Sequence, residues 1–174
     1  MQQAVDGEGE GNGPMTKRKA TKATVVRTGV GIVLLILVGL VLYTQLTALS
    51  FSGLEDRLRG QGAIIQDLGT KGQLFGDRLL AGTEHNLRIN GDGMVVFEYH
   101  TTLGAFYDTT RFSANGKTLQ PSVIPGGGQG AHLDDFPAPV HWFHQGRVIL
   151  LYVGQQANLL ALLRQVLGPQ FAGA

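Results

Sequence analysis

The chain of 174 residues contains no cysteine and little charge. Without cysteine it has no disulfide, no thiolate metal site, no cysteine nucleophile and no lipid-bearing N-terminal cysteine. Charged residues make up 16% of the chain, below the share of about 25% in soluble domains. Glycine is common instead, with 26 residues, but these follow no three-residue period, which excludes collagen. The length fits one domain of about 100–200 residues with an appendage.

The longest uncharged stretch follows a basic N-terminal run. No charged residue occurs from Thr28 to Leu54, and residues 28–49 reach the length of about 20 mainly apolar residues that a spanning helix needs. Inside a bilayer such a stretch is helical, because every backbone amide needs a partner within the chain. We therefore predict a transmembrane helix at residues 28–49 that ties the protein to the lipid bilayer.

The charges before this helix predict its orientation. The basic residues on its N-terminal side are Lys17, Arg18, Lys19, Lys22 and Arg27. Under the positive-inside rule they keep the N-terminus in the cytoplasm, so the rest of the chain crosses the membrane. We predict a disordered cytoplasmic tail with a basic juxtamembrane run at residues 1–27. Residues 50–174 then form an extracytoplasmic domain, held by a single-pass signal-anchor in the plasma (inner) membrane.

A cleaved signal peptide is the alternative interpretation of the same stretch. A basic run, an apolar segment and the small residues of Ala48-Leu49-Ser50 are the parts of a signal peptide and its cleavage site. The apolar segment here is longer than the 7–15 residues, roughly, of an ordinary signal peptide, which favours retention. The choice between the two decides whether the domain is anchored or released.

The first half of the domain carries signals of one helix and a strand pair. Ser52-Gly53-Leu54-Glu55 is a capping-box pattern, which predicts a short helix that ends at Gly60. Asn90-Gly91 is a favoured pair in tight turns, because both central residues need positive φ. We therefore predict a β-hairpin from Glu84 to Tyr99.

The second half of the domain alternates again between helix and strand signals. Thr101 or Thr102 caps a helix that reaches to about Ser113, with Leu103, Phe106, Tyr107 and Thr110 on one face. A second hairpin spans residues 141–154, and its apolar run Val148–Val153 predicts a strand covered on both faces. The last helix, residues 156–167, is followed by Gly168. This order predicts an α+β domain with a small, mostly antiparallel sheet and helices on one face.

Three segments of the domain carry a resemblance to a known type of domain. They are Val96–Tyr99 before a helix, Gly146–Gly154 before a helix, and Val166–Gly173. Over residues 53–173 the chain resembles a small uncharacterised domain of bacterial secreted or membrane-anchored proteins. The resemblance implies an extracytoplasmic setting and a domain boundary near residue 53. It implies no activity and no functional residue.

The segment from residue 132 to residue 144 is the predicted binding surface. It combines histidines, paired acids, aromatic rings and two prolines, and aromatic side chains dominate contact energies in protein interfaces. The predicted binding residues are His132, Asp134, Asp135, Phe136, His141, Trp142 and His144. The alternative interpretation of Trp142 is that it caps the core of the sheet.

A metal site among the same residues is the second interpretation of this segment. His132, Asp134 and either His141 or His144 offer ligands that zinc accepts, and such a site would make the protein a metal-assisted extracytoplasmic hydrolase. Residues three apart on a strand point to opposite faces, so His141 and His144 share a site only if their segment is a loop. The principal interpretation is a protein without a metal or other cofactor.

Other catalytic and nucleic-acid motifs are missing or weak. No Gly-x-Ser-x-Gly nucleophile elbow occurs, and the phosphate-loop pattern before Lys117 fails because Arg111 stands where glycine is required. The glycine-rich residues 125–130 predict a slack surface loop. Beyond Ser50 the basic and acidic residues nearly balance, which leaves no basic face for nucleic acid. We therefore expect a binding or accessory module that joins other membrane or extracytoplasmic proteins, either through its domain or by lateral packing of its spanning helix.

Overall fold

The computed structural model describes residues 33–40, 48–70, 79–125, 127–133 and 136–173. The chain divides into two compact units, residues 1–42 and residues 43–174. In the first unit, helix α1 includes residues 33–40, and every side chain in that range is exposed.

The predicted membrane span lies largely outside the described residues. Residues 28–32 and 41–47 of the span are not described, and the same holds for the predicted tail at residues 1–27. Within the described part of the chain, no helix has both the length and the apolar character that a bilayer crossing requires. The transmembrane helix at residues 28–49 therefore stays a prediction.

The second unit is an α+β domain built on one antiparallel sheet. Its helices are α2 (Phe51–Gly60), α3 (Thr102–Thr109) and α4 (Ala157–Leu167). Its strands are β1 (Ile65–Gly69), β2 (Thr83–Ile89), β3 (Asp92–Glu98), β4 (Thr118–Leu119), β5 (Ala131–His132), β6 (Val140–Gln145), β7 (Val148–Val153) and β8 (Ala172–Gly173). The main sheet has the order β1-β2-β3-β7-β6-β8 with antiparallel pairs throughout, and β4 pairs with β5 separately. The α+β class and the antiparallel sheet are confirmed.

The two predicted hairpins are confirmed and form the centre of the sheet. Asn90 (φ 51°) and Gly91 (φ 97°) connect β2 to β3 with the positive φ values that the turn requires. Gly146 (φ 62°) lies in the turn that connects β6 to β7. Strand β7 lies between β3 and β6, and its first five residues, from Val148 to Tyr152, are buried. The predicted burial of this strand on both faces is therefore confirmed.

The prediction that the helices share one face of the sheet is wrong. Helices α2 and α4 cover the first face, where Leu54, Leu58 and Leu163 pack against the sheet. Helix α3 covers the opposite face through Ala105, in a second core cluster with Trp142. The physical reason is that β3 and β7 are apolar on both sides, so each face must be covered from water.

Leu49, at the start of the described part of this domain, is part of its core. Leu49 is buried in the first core cluster, and its carbonyl oxygen accepts a hydrogen bond from the Arg147 backbone N–H at 2.9 Å. Leu49 also lies against the turn at Gly146, where a Cβ atom would stand 2.5 Å from the Leu49 nitrogen. We call this edge of the domain the Leu49 end. It comprises Leu49, the β6–β7 turn and the C-terminus of β3 at Glu98.

The cap of α2 differs from the predicted one. The side chain of Ser50, not Ser52, accepts the capping hydrogen bond from the Gly53 N–H at 3.2 Å. Glu55 does not close a capping box, because its carboxylate pairs with Arg59 one turn along the helix at 3.1 Å. The helix consequently begins one residue after Ser50 and ends at Gly60, as predicted.

Candidate binding surface

The predicted surface at residues 132–144 is divided between a short hairpin, a loop and an interior strand. His132 lies exposed in β5, with its Nδ1 3.5 Å from the Thr118 hydroxyl. Asp134 and Asp135 lie outside the described residues. His141, Trp142 and His144 lie in β6, and the sheet buries most of this strand. The segment is therefore not one continuous exposed surface.

His141 is a structural residue of the sheet. It is 5% exposed, and both ring nitrogens have partners: Nδ1 lies 2.9 Å from the Gln170 side-chain oxygen and Nε2 3.1 Å from the Gly154 carbonyl oxygen. Its ring also stacks on Tyr152, with centroids 5.9 Å apart. An imidazole with both nitrogens engaged in this way contributes to packing and hydrogen bonding, and it offers no open position to a ligand.

Trp142 is the centre of the second core cluster, in agreement with its alternative interpretation. It is fully buried, and its indole N–H donates a hydrogen bond to the Gly116 carbonyl oxygen at 3.0 Å. The ring packs against Phe112 at a centroid distance of 4.5 Å and lies near Phe97 at 6.4 Å. A Cβ atom at Gly116, where φ is 68°, would lie 2.8 Å from the indole. The expectation that Trp142 is a contact residue on the surface is therefore wrong.

His144 lies on the opposite face of β6 from His141. Its ring meets Phe171 edge-on at 6.5 Å, whereas His141 stacks on Tyr152 of the first face. The segment is a strand, so the two histidines cannot ligate one metal ion. This geometry removes the loop conformation on which the predicted zinc site with both histidines depended.

His144 gives the domain a pH-dependent stability. Burial lowers the pKa of His144 from its ordinary value of 6.5, and a bond to the Gly146 carbonyl oxygen offsets this only in part. As the pH falls, the unfolded chain therefore binds a proton at this histidine before the folded chain does. The contribution of neutral His144 to stability is complete above the unfolded-state pKa and is lost as the pH falls from that value through the lower folded-state pKa.

Between about pH 7.5 and pH 5.5, we expect the melting temperature of the His144→Gln variant to decrease less than that of the unmodified chain. Thermal unfolding of both proteins in the same detergent, followed by Trp142 emission, measures this difference. An unchanged pH dependence in the variant would assign the fall to other groups.

The predicted residue Phe136 and the adjacent Pro137 border accessible space. They line a cleft of about 330 Å³ on the second face of the sheet, together with Leu68, Val95 and Val153. Among the described residues, none with a charged side chain lines this cleft. A second cleft of about 300 Å³ shares Phe136 and Pro137 and includes Lys117 on its wall. The two clefts flank the proline-rich segment, so this segment is an accessible part of the predicted surface, as is the exposed His132.

A buried ion pair on the second face was not predicted from the sequence. Asp108 and Arg111 are 1% and 5% exposed, and a charged hydrogen bond joins them at 2.6 Å. The other carboxylate oxygen of Asp108 accepts from the Tyr99 hydroxyl at 2.6 Å and from the Ala81 N–H at 3.1 Å. Burial, followed by the charge of Asp108, raises the pKa of Tyr99 well above its usual range. The signal in the sequence was the i, i+3 spacing of two opposite charges in a segment with no others.

The guanidinium of Arg111 connects this ion pair to the glycine-rich loop. It donates to the Gln120 carbonyl oxygen at 2.8 Å and to the Gly128 carbonyl oxygen at 2.9 Å. Gly128 is buried against Leu79, where a Cβ atom would lie 2.0 Å from the Leu79 carbonyl oxygen. The prediction of a slack loop is therefore wrong at Gly128. Asp108 and Arg111 have all their partners inside the protein, so their chemistry is structural.

The described residues contain no group of three or more histidine and acidic side chains placed to hold a metal ion. The described residues instead form two clefts beside Phe136 and Pro137. The first of these clefts has no charged side chain on its wall among the described residues, and an apolar cleft binds apolar side chains or small apolar ligands. Comparison with protein-family models, curated proteins and solved structures finds no match to this chain.

Proposed function

We propose that the protein is a single-pass, membrane-anchored extracytoplasmic binding module and an accessory subunit of a larger membrane assembly. The observation that carries the proposal is the uncharged cleft between Leu68, Val95, Val153 and the Phe136-Pro137 pair. The buried polar residues Asp108, Arg111 and His141 have partners within the protein, and no charged side chain among the described residues lines the cleft, so recognition through apolar contact is the chemistry that this cleft can provide.

The anchor in this proposal is supported by the apolar character of α1. Side chains in residues 33–40 are exposed all around the helix, among them Leu35 at 71% and Ile36 at 63%. A helix that is apolar on every side is stable when lipid or protein surrounds it. The basic residues that precede it in the sequence favour an N-terminus in the cytoplasm.

The proposed binding site is tested by a substitution that replaces a small residue of the cleft with a larger one. Gly93 lines the cleft on β3, and a Cβ atom there meets no other atom within 4 Å. The Gly93→Ile variant therefore adds a branched side chain beside the cleft at a position where the Cβ atom has room, in a strand where such residues are favourable. We expect it to reduce binding of the partner at least tenfold, which corresponds to about 1.4 kcal/mol.

The measurement is the amount of each membrane protein that co-purifies with the full-length chain from native membranes in mild detergent. Gly60→Ala is the matched control, because Gly60 at the end of α2 also has no atom within 4 Å of a Cβ. Equal recovery of the partners with Gly93→Ile, Gly60→Ala and the unmodified chain would show that this cleft is not the binding site.

A further inference from the structure

Four large apolar side chains lie exposed together on one side of the domain. Leu103 is 72% and Phe106 is 57% exposed on α3, and Val123 is 87% and Ile124 is 52% exposed on the loop after β4. A hydrogen bond of 3.2 Å from the Val123 N–H to the Tyr107 hydroxyl joins the loop to the helix. We call these four residues the α3–Val123 patch. Leu103 and Phe106 belong to the face that the sequence predicts for this helix, whereas the buried residues of the helix are Ala105 and Asp108.

Charge is almost absent from the two segments that carry the patch. Helix α3 contains one charged residue, Asp108, which is buried and paired with Arg111. The sequence from Thr118 to Gly130 contains none. A charge-free apolar surface is costly in water and marks a site of contact with another molecule or with a membrane.

The patch begins at the Leu49 end of the domain. The Arg147 N–H binds the Leu49 carbonyl oxygen at 2.9 Å, and the Tyr99 N–H binds the Arg147 carbonyl oxygen at 2.8 Å. Two residues after Tyr99, Thr101 caps the N-terminus of α3. Leu103, in the first turn of the helix, therefore follows by four residues a position that two hydrogen bonds connect to Leu49 through Arg147.

We propose that the α3–Val123 patch inserts into the surface of the lipid bilayer that holds the anchor. The proposal rests on the proposed membrane span, since that span ends in the sequence where the domain begins. Lipid is the occupant that matches these observations: the surface is apolar and uncharged, it carries Tyr107 at its border, and it starts at the end of the domain that follows the anchor. Exposed apolar side chains with an adjacent tyrosine are typical of residues at the membrane interface.

The absence of cysteine makes a direct test possible. Leu103→Cys and Val123→Cys each introduce a single attachment point for a nitroxide spin label. Ile64→Cys is the matched control, because Ile64 is 78% exposed and its carbonyl oxygen binds the Asn90 N–H at the far turn of the β2–β3 hairpin. That turn lies about 20 Å along the strands from the Leu49 end.

The full-length labelled proteins are reconstituted into vesicles of phosphatidylethanolamine and phosphatidylglycerol. Collision rates of the label with oxygen, which concentrates in lipid, and with a water-soluble nickel chelate are then measured. We expect a several-fold higher oxygen-to-nickel ratio at positions 103 and 123 than at position 64. Carbonate extraction of the same vesicles reports separately on the anchor.

Each other outcome overturns at least one of the two proposals. In one outcome the protein stays with the vesicles after carbonate, but the labels at 103 and 123 are as accessible to the nickel chelate as the label at 64. This result would be consistent with the anchor and would refute insertion of the patch. Low collision rates with both reagents would show contact between protein copies and would also refute insertion. Release of the protein by carbonate would refute the anchor, and insertion of the patch with it.

Discussion

Replacing Asp108 by asparagine is expected to lower the free energy of unfolding by about 3–5 kcal/mol, because it leaves the buried Arg111 charge without its partner. The carboxylate also accepts hydrogen bonds from the Tyr99 hydroxyl and the Ala81 N–H, and an amide cannot serve all three donors equally. The measurement is a guanidinium titration of the full-length protein in mild detergent, followed by Trp142 emission.

Asp56→Asn is the matched control for this prediction. Asp56 and Arg59 have the same i, i+3 spacing on α2, but their distance is 3.8 Å and the Asp56 side chain is 81% exposed. Because water screens such a pair, its loss should change the free energy of unfolding by less than about 1 kcal/mol. Similar effects of the two substitutions would contradict the structural role assigned to the buried pair.

Trp142→Ala is expected to destabilise the domain by about 3–5 kcal/mol, because a large aromatic side chain leaves a cavity in the core. The substitution also leaves the Gly116 carbonyl oxygen without the indole N–H that it accepts. Since Trp142 is the single tryptophan of the chain, unfolding of this variant is followed by far-UV circular dichroism.

Leu103→Ala serves as the comparison, because Leu103 is exposed and its truncation should change stability by about 0.5 kcal/mol or less. If Trp142→Ala kept full stability and lost only partner binding, Trp142 would be a contact residue after all. The burial of its ring and its contact with Phe112 predict the opposite.

Local elements were predictable from the sequence where a short pattern dictates the backbone. The Asn90-Gly91 turn and the strands around it follow from the positive φ that both residues adopt. Helix α4 follows from its apolar stripe, and Gly168 ends it with φ 82°. These signals are contained in a few neighbouring residues, so no knowledge of the rest of the chain is needed.

The positions of side chains relative to the sheet were predictable only in part. The spacing of the apolar residues in α3 predicts that Leu103 and Phe106 share one face, but it does not predict which face is buried. The helix buries Asp108, which bonds to Arg111 and Tyr99. Tyr99 lies in the connection between β3 and α3, and periodicity within α3 carries no information about it. A buried charge is therefore the feature that overrides the apolar stripe in this helix.

The residues of the candidate surface were also predictable only in part, for a different reason. The segment around Phe136 was predicted from its composition, and it does border the two clefts. Leu68 and Gly93, which complete one cleft, come from β1 and β3 and have no distinguishing sequence pattern. Only the pairing of the strands brings these residues to the same face.

The hydrogen bond between Leu49 and Arg147 also has a mechanical consequence. Tension applied to the chain at Leu49 would load this bond first, then the Ser50 cap and the bond from the Phe51 N–H to the Glu98 carboxylate. All three connect directly to the central strands or to α2, so a pull at this point is transmitted to the interior of the sheet. Proteolysis after Ser50 would remove both Leu49 and the cap, so shedding of the domain would also weaken it.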